Sequence, residues 1–333
     1  MRTLGIVGGG IVGKSLLFSL AIENRQKYDR VIIFESEAFA PSCTLRSTAI
    51  VAARGVLPGI SPLGDLIHQG ILAFRDHVKE YAPRGVYPIT QINSALTKED
   101  AFYRRYKENF KADKVNNLSF NQELPLFVEQ AQYVNAFEYC QWLYEEAQKR
   151  MDVIRVNDFV TEINQELDVK TLNGENFKFD HLILAGSIKN KLWSTLVENP
   201  KLTRSKTVKG SFLSFSNVDW GKESYSLSID DLNCIYRAQS QELLIGATSE
   251  QSEIYGTDEL NSLVPIYEFF SKVVDRKLPP LPSATLITGM REKSSKREPY
   301  LGREGNISYI GGLYKNGFTL SLKMAKSLVS QLP

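Results

Sequence analysis

The feature that constrains this chain most is its N-terminal stretch, TLGIVGGGIVGKSLLFSL, which covers residues 3–20. The first five of these residues form a short apolar run that is typical of a buried parallel strand. Gly8, Gly10 and Gly13 then follow the G-x-G-x-x-G spacing. From Ile11 onward the apolar residues recur at helical intervals. Strand, glycine turn and helix in this order predict a Rossmann-type unit whose helix N-terminus binds the phosphates of a dinucleotide.

The second half of this fingerprint is an acidic residue at the end of the next predicted strand. Residues 31–34 form another apolar run, and Glu35 follows them. This acid lies about 20 residues past the last glycine, as the fingerprint requires. A carboxylate there accepts hydrogen bonds from ribose hydroxyls and repels a 2′-phosphate. The expected ligand is therefore an adenine dinucleotide, with FAD and NAD both open and NADP disfavoured.

Composition narrows the class of protein. The 333 residues are 43% apolar and 23% charged with a net charge of +2, which is typical of a globular protein that has no global attraction to nucleic acid. The widely spaced Cys43, Cys140 and Cys234 predict free thiols and, like the three histidines, lack metal-site spacing. No apolar run reaches the about 18 residues of a membrane span, and the N-terminus lacks a signal-peptide cleavage site. We therefore expect a cytoplasmic protein with no membrane partner.

The order of patterns along the chain predicts how its domains are arranged. The nucleotide unit is followed by a mixed block, a second buried strand near residues 179–186, a strand-rich block and a final strand and helix. This order predicts an α/β fold (α+β overall), in which a Rossmann-type domain is assembled from discontinuous segments. A mixed, largely antiparallel sheet is inserted into it as a substrate-binding domain. The predicted boundaries are 1–84, 133–206 and 283–333 for the nucleotide-binding domain, and 85–132 and 207–282 for the inserted domain.

Four further motifs carry a family resemblance. They are Gly289-Met290-Arg291, EPYLG at residues 298–302, GLYKNGF at residues 312–318 and IGAT at residues 245–248. They resemble segments of the FAD-dependent D-amino-acid-oxidase superfamily. The first resembles its G-x-R and the second its following P-x-x-G. The third resembles its G-H-Y-R-N-G, and the fourth its G-A-T. Within it the chain is most similar to glycine oxidase and its thiazole-biosynthesis relatives. The resemblance runs nearly end to end and implies that the cofactor is FAD.

The resemblance also implies roles for individual residues. Arg291 corresponds to the arginine that clamps a substrate carboxylate, for which a planar guanidinium is well suited. Tyr236 is expected to serve as the active-site tyrosine of the inserted sheet, whose position falls near Cys234. Asn316 and Gly317 are expected to offer N–H groups and a positive dipole end to the flavin N1/C2=O edge. The catalytic set is thus Arg291 and Tyr236, no metal is expected, and the cofactor-binding set is Gly8, Gly10, Ile11, Val12, Gly13, Glu35, Ser36, Arg46, Ser47, Thr48, Val160, Ala185, Gly186, Gly289, Arg291, Tyr314, Lys315, Asn316, Gly317 and Phe318.

Some positions depart from the family pattern. The family usually has an acid near Lys296-Arg297 and a histidine at the position of Leu313. These departures leave the fold and FAD unaffected and bear on the choice of substrate.

The activity that the resemblance implies is oxidation of a small amino acid or secondary amine. The α-hydrogen would pass as hydride to flavin N5, and oxygen is the expected acceptor. One alternative is an enzyme like the tRNA wobble-uridine carboxymethylamine oxidase, because the basic residues of segments 291–303 and 201–209 would suit RNA phosphates. Another is a flavin-binding partner protein without turnover. The sequence predicts no oligomeric state.

Overall fold

The N-terminal fingerprint lies in a six-stranded sheet of the computed structural model. In spatial order the strands are β16 (Tyr300–Glu304), β17 (Ile307–Gly311), β10 (His181–Leu184), β1 (Thr3–Val7), β2 (Arg30–Phe34) and β6 (Asp152–Val156). All neighbours are parallel except the edge pair β16 and β17. The central strands β1 and β10 are apolar and buried because both faces of the sheet are covered.

Helices cover one face of this sheet. They are α1 (Ile11–Glu23), α3 (Ala136–Gln148) and α6 (Gly317–Val329), and α2 (Pro62–Tyr81) packs against these helices. Their starts follow local chemistry: Ser61 accepts a hydrogen bond from the N–H of Gly64, and Asn135 caps α3 in the same way. The other face is covered by a small meander of β7 (Val160–Ile163), β8 (Asp168–Thr171) and β9 (Asn176–Lys178), and by the short 3-10 helix Ser187–Trp193.

The second large sheet has eight strands and is mostly antiparallel. In spatial order these are β15 (Thr285–Lys293), β11 (Lys206–Phe215), β14 (Glu242–Gly246), β13 (Leu232–Arg237), β12 (Tyr225–Ile229), β4 (Val86–Ser94), β5 (Leu126–Val134) and β3 (Ile50–Val51). Only β12 and β4 pair in parallel. Helix α5 (Glu259–Val273) packs on one face of this sheet and buries Leu263 and Phe270, while the short helix α4 (Pro200–Thr203) precedes β11. The predicted fold class is confirmed.

The strand β15 differs from the prediction. The predicted boundaries place residues 283–333 with the nucleotide-binding domain, whereas β15 is hydrogen-bonded to β11 from the pair Lys206–Lys293 to the pair Ser214–Thr285. The next strands, β16 and β17, return to the six-stranded sheet. The chain therefore crosses between the sheets after β15, and this strand belongs to the second sheet by its pairing.

The structure describes residues 1–23, 27–36, 43–53, 58–96, 103–104, 107–109, 115, 118–250, 259–295 and 297–333. Lys296, whose position bears on a predicted departure from the family pattern, lies outside these ranges. All three cysteines are free, as predicted. Within the described ranges no helix has the length and apolar character needed to cross a membrane.

A buried histidine makes the fold sensitive to acid. His77 of α2 is surrounded by the rings of Phe18, Tyr81, Tyr139 and Trp142. Burial is the main cause that lowers its pKa from 6.5 to about 4, and the charge of Lys326 adds to it. In the unfolded chain the imidazole of His77 takes up a proton below about pH 6.5, whereas in the folded chain it stays neutral down to about pH 4. The stability from this group is therefore complete above that range and is lost as the pH falls through it.

We expect His77→Phe to flatten the loss of stability between about pH 7 and about pH 5. Removing one such group should reduce the slope of the unfolding free energy by up to about 1.4 kcal/mol per pH unit. Urea unfolding of the FAD-loaded protein and the variant, followed at both pH values, measures this slope. Equal slopes in the two proteins would contradict the assignment.

Candidate active site

A cavity of about 440 Å³ lies where the two large sheets meet. It opens beyond the carboxyl ends of β1, β2 and β10, the place where ligands bind in parallel α/β sheets. Most of the predicted site residues line it, namely Gly8, Gly10, Ile11, Val12, Glu35, Ser36, Arg46, Ser47, Thr48, Ala185, Gly186, Arg291, Tyr314, Lys315, Gly317 and Phe318.

The glycine turn has the geometry that a pyrophosphate needs. Gly8 has a φ of +122°, and a Cβ added there would lie 2.5 Å from the carbonyl oxygen of Ala185. A Cβ on Gly13 would overlap the carbonyl oxygen of Gly8, so this glycine lies behind the turn and lets α1 begin directly against β1. The N–H of Ile11 donates to the hydroxyl of Thr44 at 2.9 Å, which ties the next loop to the helix start. These features fit the phosphates of FAD at the start of α1.

The start of α6 forms a second wall of the cavity. Its preceding residue, Asn316, makes no side-chain cap bond to the helix, so this residue leaves the positive dipole end of α6 uncapped. Gly317 and Phe318 line the cavity beside it. This is the arrangement expected for stabilising negative charge on a bound flavin, whereas Asn316 itself is a helix-end residue and not part of the lining.

A buried carboxylate that the sequence did not reveal lies beside this wall. The side chain of Glu292 accepts a hydrogen bond from the Tyr300 hydroxyl at 2.6 Å and another from the N–H of Gly312 at 2.9 Å. Burial raises the pKa of Glu292, and burial is also the main cause that raises the pKa of Tyr300, with Glu292 next. Glu292 thereby connects β15 with β16 and with the turn after β17.

The other half of the cavity is formed by the eight-stranded sheet. Arg291 of β15 directs its guanidinium across Gly210 of β11, where any Cβ would overlap it. One of its terminal nitrogens lies 3.5 Å from the carbonyl oxygen of Thr248. This half of the cavity is completed by residues of this sheet, of its loops and of the turn before α6, namely Phe212, Met290, Ala247, Asp231, Asn233, Tyr314 and Lys315.

The prediction for Tyr236 is wrong because of strand alternation. Along β13, Cys234 and Tyr236 point into the core under α5, where Tyr236 stacks near Trp220 and donates to the carbonyl of Gly221 at 2.9 Å. Residues on odd positions of this strand face the other way, and Asn233 lines the cavity. The strand was predicted correctly, and its residue that lines the cavity is one position from Cys234.

Three other predicted residues do not line the cavity. Val160 is buried with Val7 and Phe34 in the core below the sheet. Gly289 packs against the backbone of Arg46, whose guanidinium donates to the carbonyl of Thr288 at 3.1 Å. Gly13 lies behind the glycine turn, as described above.

The loop that lines the cavity between Arg46 and Thr48 is anchored by a residue that the sequence did not reveal. Arg237 of β13 donates to the carbonyl of Thr48 at 2.7 Å and pairs with Glu242 at 2.9 Å. The strand that carries Asn233 thus also fixes a cofactor-side loop. In the part of the chain that the structure describes, no cluster of His, Cys, Asp or Glu could hold a metal ion.

Comparison with known proteins identifies the family. The family model described as "DAO: FAD dependent oxidoreductase" matches residues 4–331, so the chain belongs to this family of FAD-dependent oxidoreductases. It is an enzyme family, and the cofactor is FAD. The comparison with curated proteins gives no match.

Solved structures agree over the whole chain at low sequence identity. Glycine oxidase from Geobacillus kaustophilus is 19% identical with a TM-score of 0.76, covering 100% of this chain and 96% of that one. Iminodiacetate oxidase from Chelativorans sp. BNC1 is 17% identical with a TM-score of 0.75 at the same coverage. L-α-Glycerophosphate oxidase from Mycoplasma pneumoniae is 15% identical with a TM-score of 0.77, covering 100% and 95%. At these identities the likeness shows a common fold.

The packing of Arg291 against Gly210 leads to a prediction. An alanine at position 210 would clash with the guanidinium, which can move because it is the end of a flexible side chain. Gly210→Ala should therefore keep the fold and FAD but weaken binding of a carboxylate probe such as benzoate by about tenfold or more. Absorbance changes of the flavin during benzoate titration measure this, with thermal unfolding as the check on folding.

The control is the same substitution made together with Arg291→Leu. Because both changes act on one guanidinium, the double variant should bind benzoate no worse than Arg291→Leu alone. Additive losses, or unchanged benzoate binding by Gly210→Ala, would show that Arg291 does not bind the probe in this position.

Proposed function

We propose that this enzyme oxidises the C–N bond of a small amino acid or secondary amine, with oxygen as the acceptor. The observation that carries the proposal is the position of Arg291, which enters from the eight-stranded sheet into the same cavity as the glycine turn and the start of α6. A guanidinium there can form two parallel charge-assisted hydrogen bonds to a substrate carboxylate.

The bound cofactor supplies a hydride acceptor, and the residues of the chain supply orientation. Arg291 fixes the carboxylate end of the substrate, and its own position is restricted by Gly210 and Thr248. Phe212 and Met290 provide apolar walls that exclude water from the reacting carbon. Hydride transfer from a neutral amine depends mainly on this orientation, so neither a tyrosine at position 236 nor a histidine at position 313 is required.

The RNA alternative finds less support in the structure. Lys209 is buried and pairs with Glu259 at 2.9 Å, and Lys201 pairs with Glu298 at 2.9 Å. Arg291 lies in the cavity rather than on the surface. These three basic residues are therefore paired or directed into the cavity, and none of them is free to bind an RNA phosphate.

Replacing Arg291 tests the proposal. Arg291→Leu should retain FAD and a normal thermal unfolding profile, while reduction of the flavin by a carboxylate-bearing amine slows by about 100-fold or more. Arg291→Lys should recover part of the rate, because an ammonium supplies charge without the planar fork. Stopped-flow absorbance without oxygen measures the rate of flavin reduction.

Arg303→Leu is the matched control, since Arg303 of β16 is exposed and donates to the carbonyl of Gly305 outside the cavity. It should reduce at the wild-type rate. If Arg291→Leu and Arg303→Leu behave alike, the substrate carboxylate is bound elsewhere. If neither an amine nor an alcohol reduces even the wild-type flavin, the non-catalytic alternative is favoured instead.

A further inference from the structure

We propose that Lys14 is a positioning residue that aims the carboxylate of Glu35 at the adenosine ribose of FAD. This inference rests on the proposed role of Glu35 as the ribose acid. Lys14 directly follows the last glycine of the fingerprint, so the first turn of α1 carries it to the end of β2. There its ammonium lies 2.8 Å from Oε2 of Glu35.

The Lys14–Glu35 pair is largely buried, and its two side chains differ in exposure. The side chain of Lys14 is 4% exposed and that of Glu35 is 17% exposed, so the ammonium is the deeper member. The ammonium also lies 4.8 Å from the centre of the Tyr144 ring, a favourable position for a cation. A buried lysine with one carboxylate partner fixes that carboxylate firmly, because either charge left alone would be unfavourable.

A second cation and a backbone contact restrict Glu35 further. Arg155 of β6 lies 3.9 Å from the same Oε2 and is 38% exposed. A Cβ added to Gly9 would come within 2.6 Å of the Glu35 side chain, so this side chain lies directly on the glycine turn. Both cations approach Oε2, which leaves Oε1 as the oxygen for the ribose hydroxyls.

This arrangement solves a chemical problem of the site. The carboxylate of a glutamate at the rim of an anion-binding turn is repelled by the phosphates of the cofactor. Lys14 neutralises it and holds it in the one direction from which it can accept from ribose. Lys14 therefore does not need to touch FAD, and its effect on the cofactor should depend on Glu35 and on the ribose hydroxyls.

The test is displacement of FAD from the holoprotein by ADP and by 2′,3′-dideoxy-ADP, which differ only in the ribose hydroxyls. The wild-type protein should prefer ADP by about tenfold or more, the worth of a charge-assisted hydrogen bond. Lys14→Met should reduce this preference to about twofold or less, and Lys14→Arg should restore most of it. Arg155→Met, which removes the more distant and more exposed cation, should reduce the preference much less than Lys14→Met does.

The pattern of losses separates the possible roles. If Lys14→Met weakens both competitors equally and leaves their ratio unchanged, Lys14 is only structural and the inference fails. If Glu35→Gln also leaves the ratio unchanged, Glu35 does not bind the ribose, and the proposed cofactor geometry fails with it. If Glu35→Gln abolishes the preference and Lys14→Met does not, the inference about Lys14 alone is overturned. Circular dichroism and thermal unfolding confirm that each variant is folded.

Discussion

The whole site depends on how closely the backbone of the glycine turn packs. Gly8 leaves no room for a side chain between β1 and the end of β10, and Gly13 leaves none between the turn and α1. This close packing places the first N–H groups of α1 at the same edge of the sheet as the ends of β2 and β10. A side chain at either position would separate the elements and remove the phosphate site, which is the physical reason for glycine here.

The second requirement is that two sheets contribute to one cavity. The six-stranded sheet supplies the turn, Glu35 and the start of α6, while β15 of the other sheet supplies Arg291. Glu292, the next residue of β15, is bonded to Tyr300 of β16 and to the N–H of Gly312. Neighbouring residues of one strand thus place the predicted substrate clamp and form hydrogen bonds between the two sheets. In the proposed function, the position of the substrate relative to the cofactor follows from that junction.

Much of this was predictable from sequence because it is local. The strand, turn and helix of residues 3–20 and the cavity position of Arg291 both follow from short motifs. The remainder depends on pairing between distant segments. Nothing near residue 285 shows that β15 joins β11, and an alternation of single residues decides that Asn233 rather than Tyr236 faces the cavity. The sequence gives no sign of the role proposed for Lys14, because Tyr144 and Arg155 come close to Lys14 and Glu35 only in the fold.

The most direct measurement is the absorbance spectrum of the flavin under anaerobic conditions during titration with matched pairs of compounds. Each pair contains an amine with a carboxylate, such as glycine, N-methylglycine or iminodiacetate, and the corresponding hydroxy acid. Glycerol 3-phosphate is tested as well, as a phosphate-bearing alcohol. We expect bleaching of the oxidised flavin bands by at least one amine of the set and not by its hydroxy counterpart. Bleaching by glycerol 3-phosphate or a hydroxy acid without bleaching by any amine would contradict the proposed C–N oxidation.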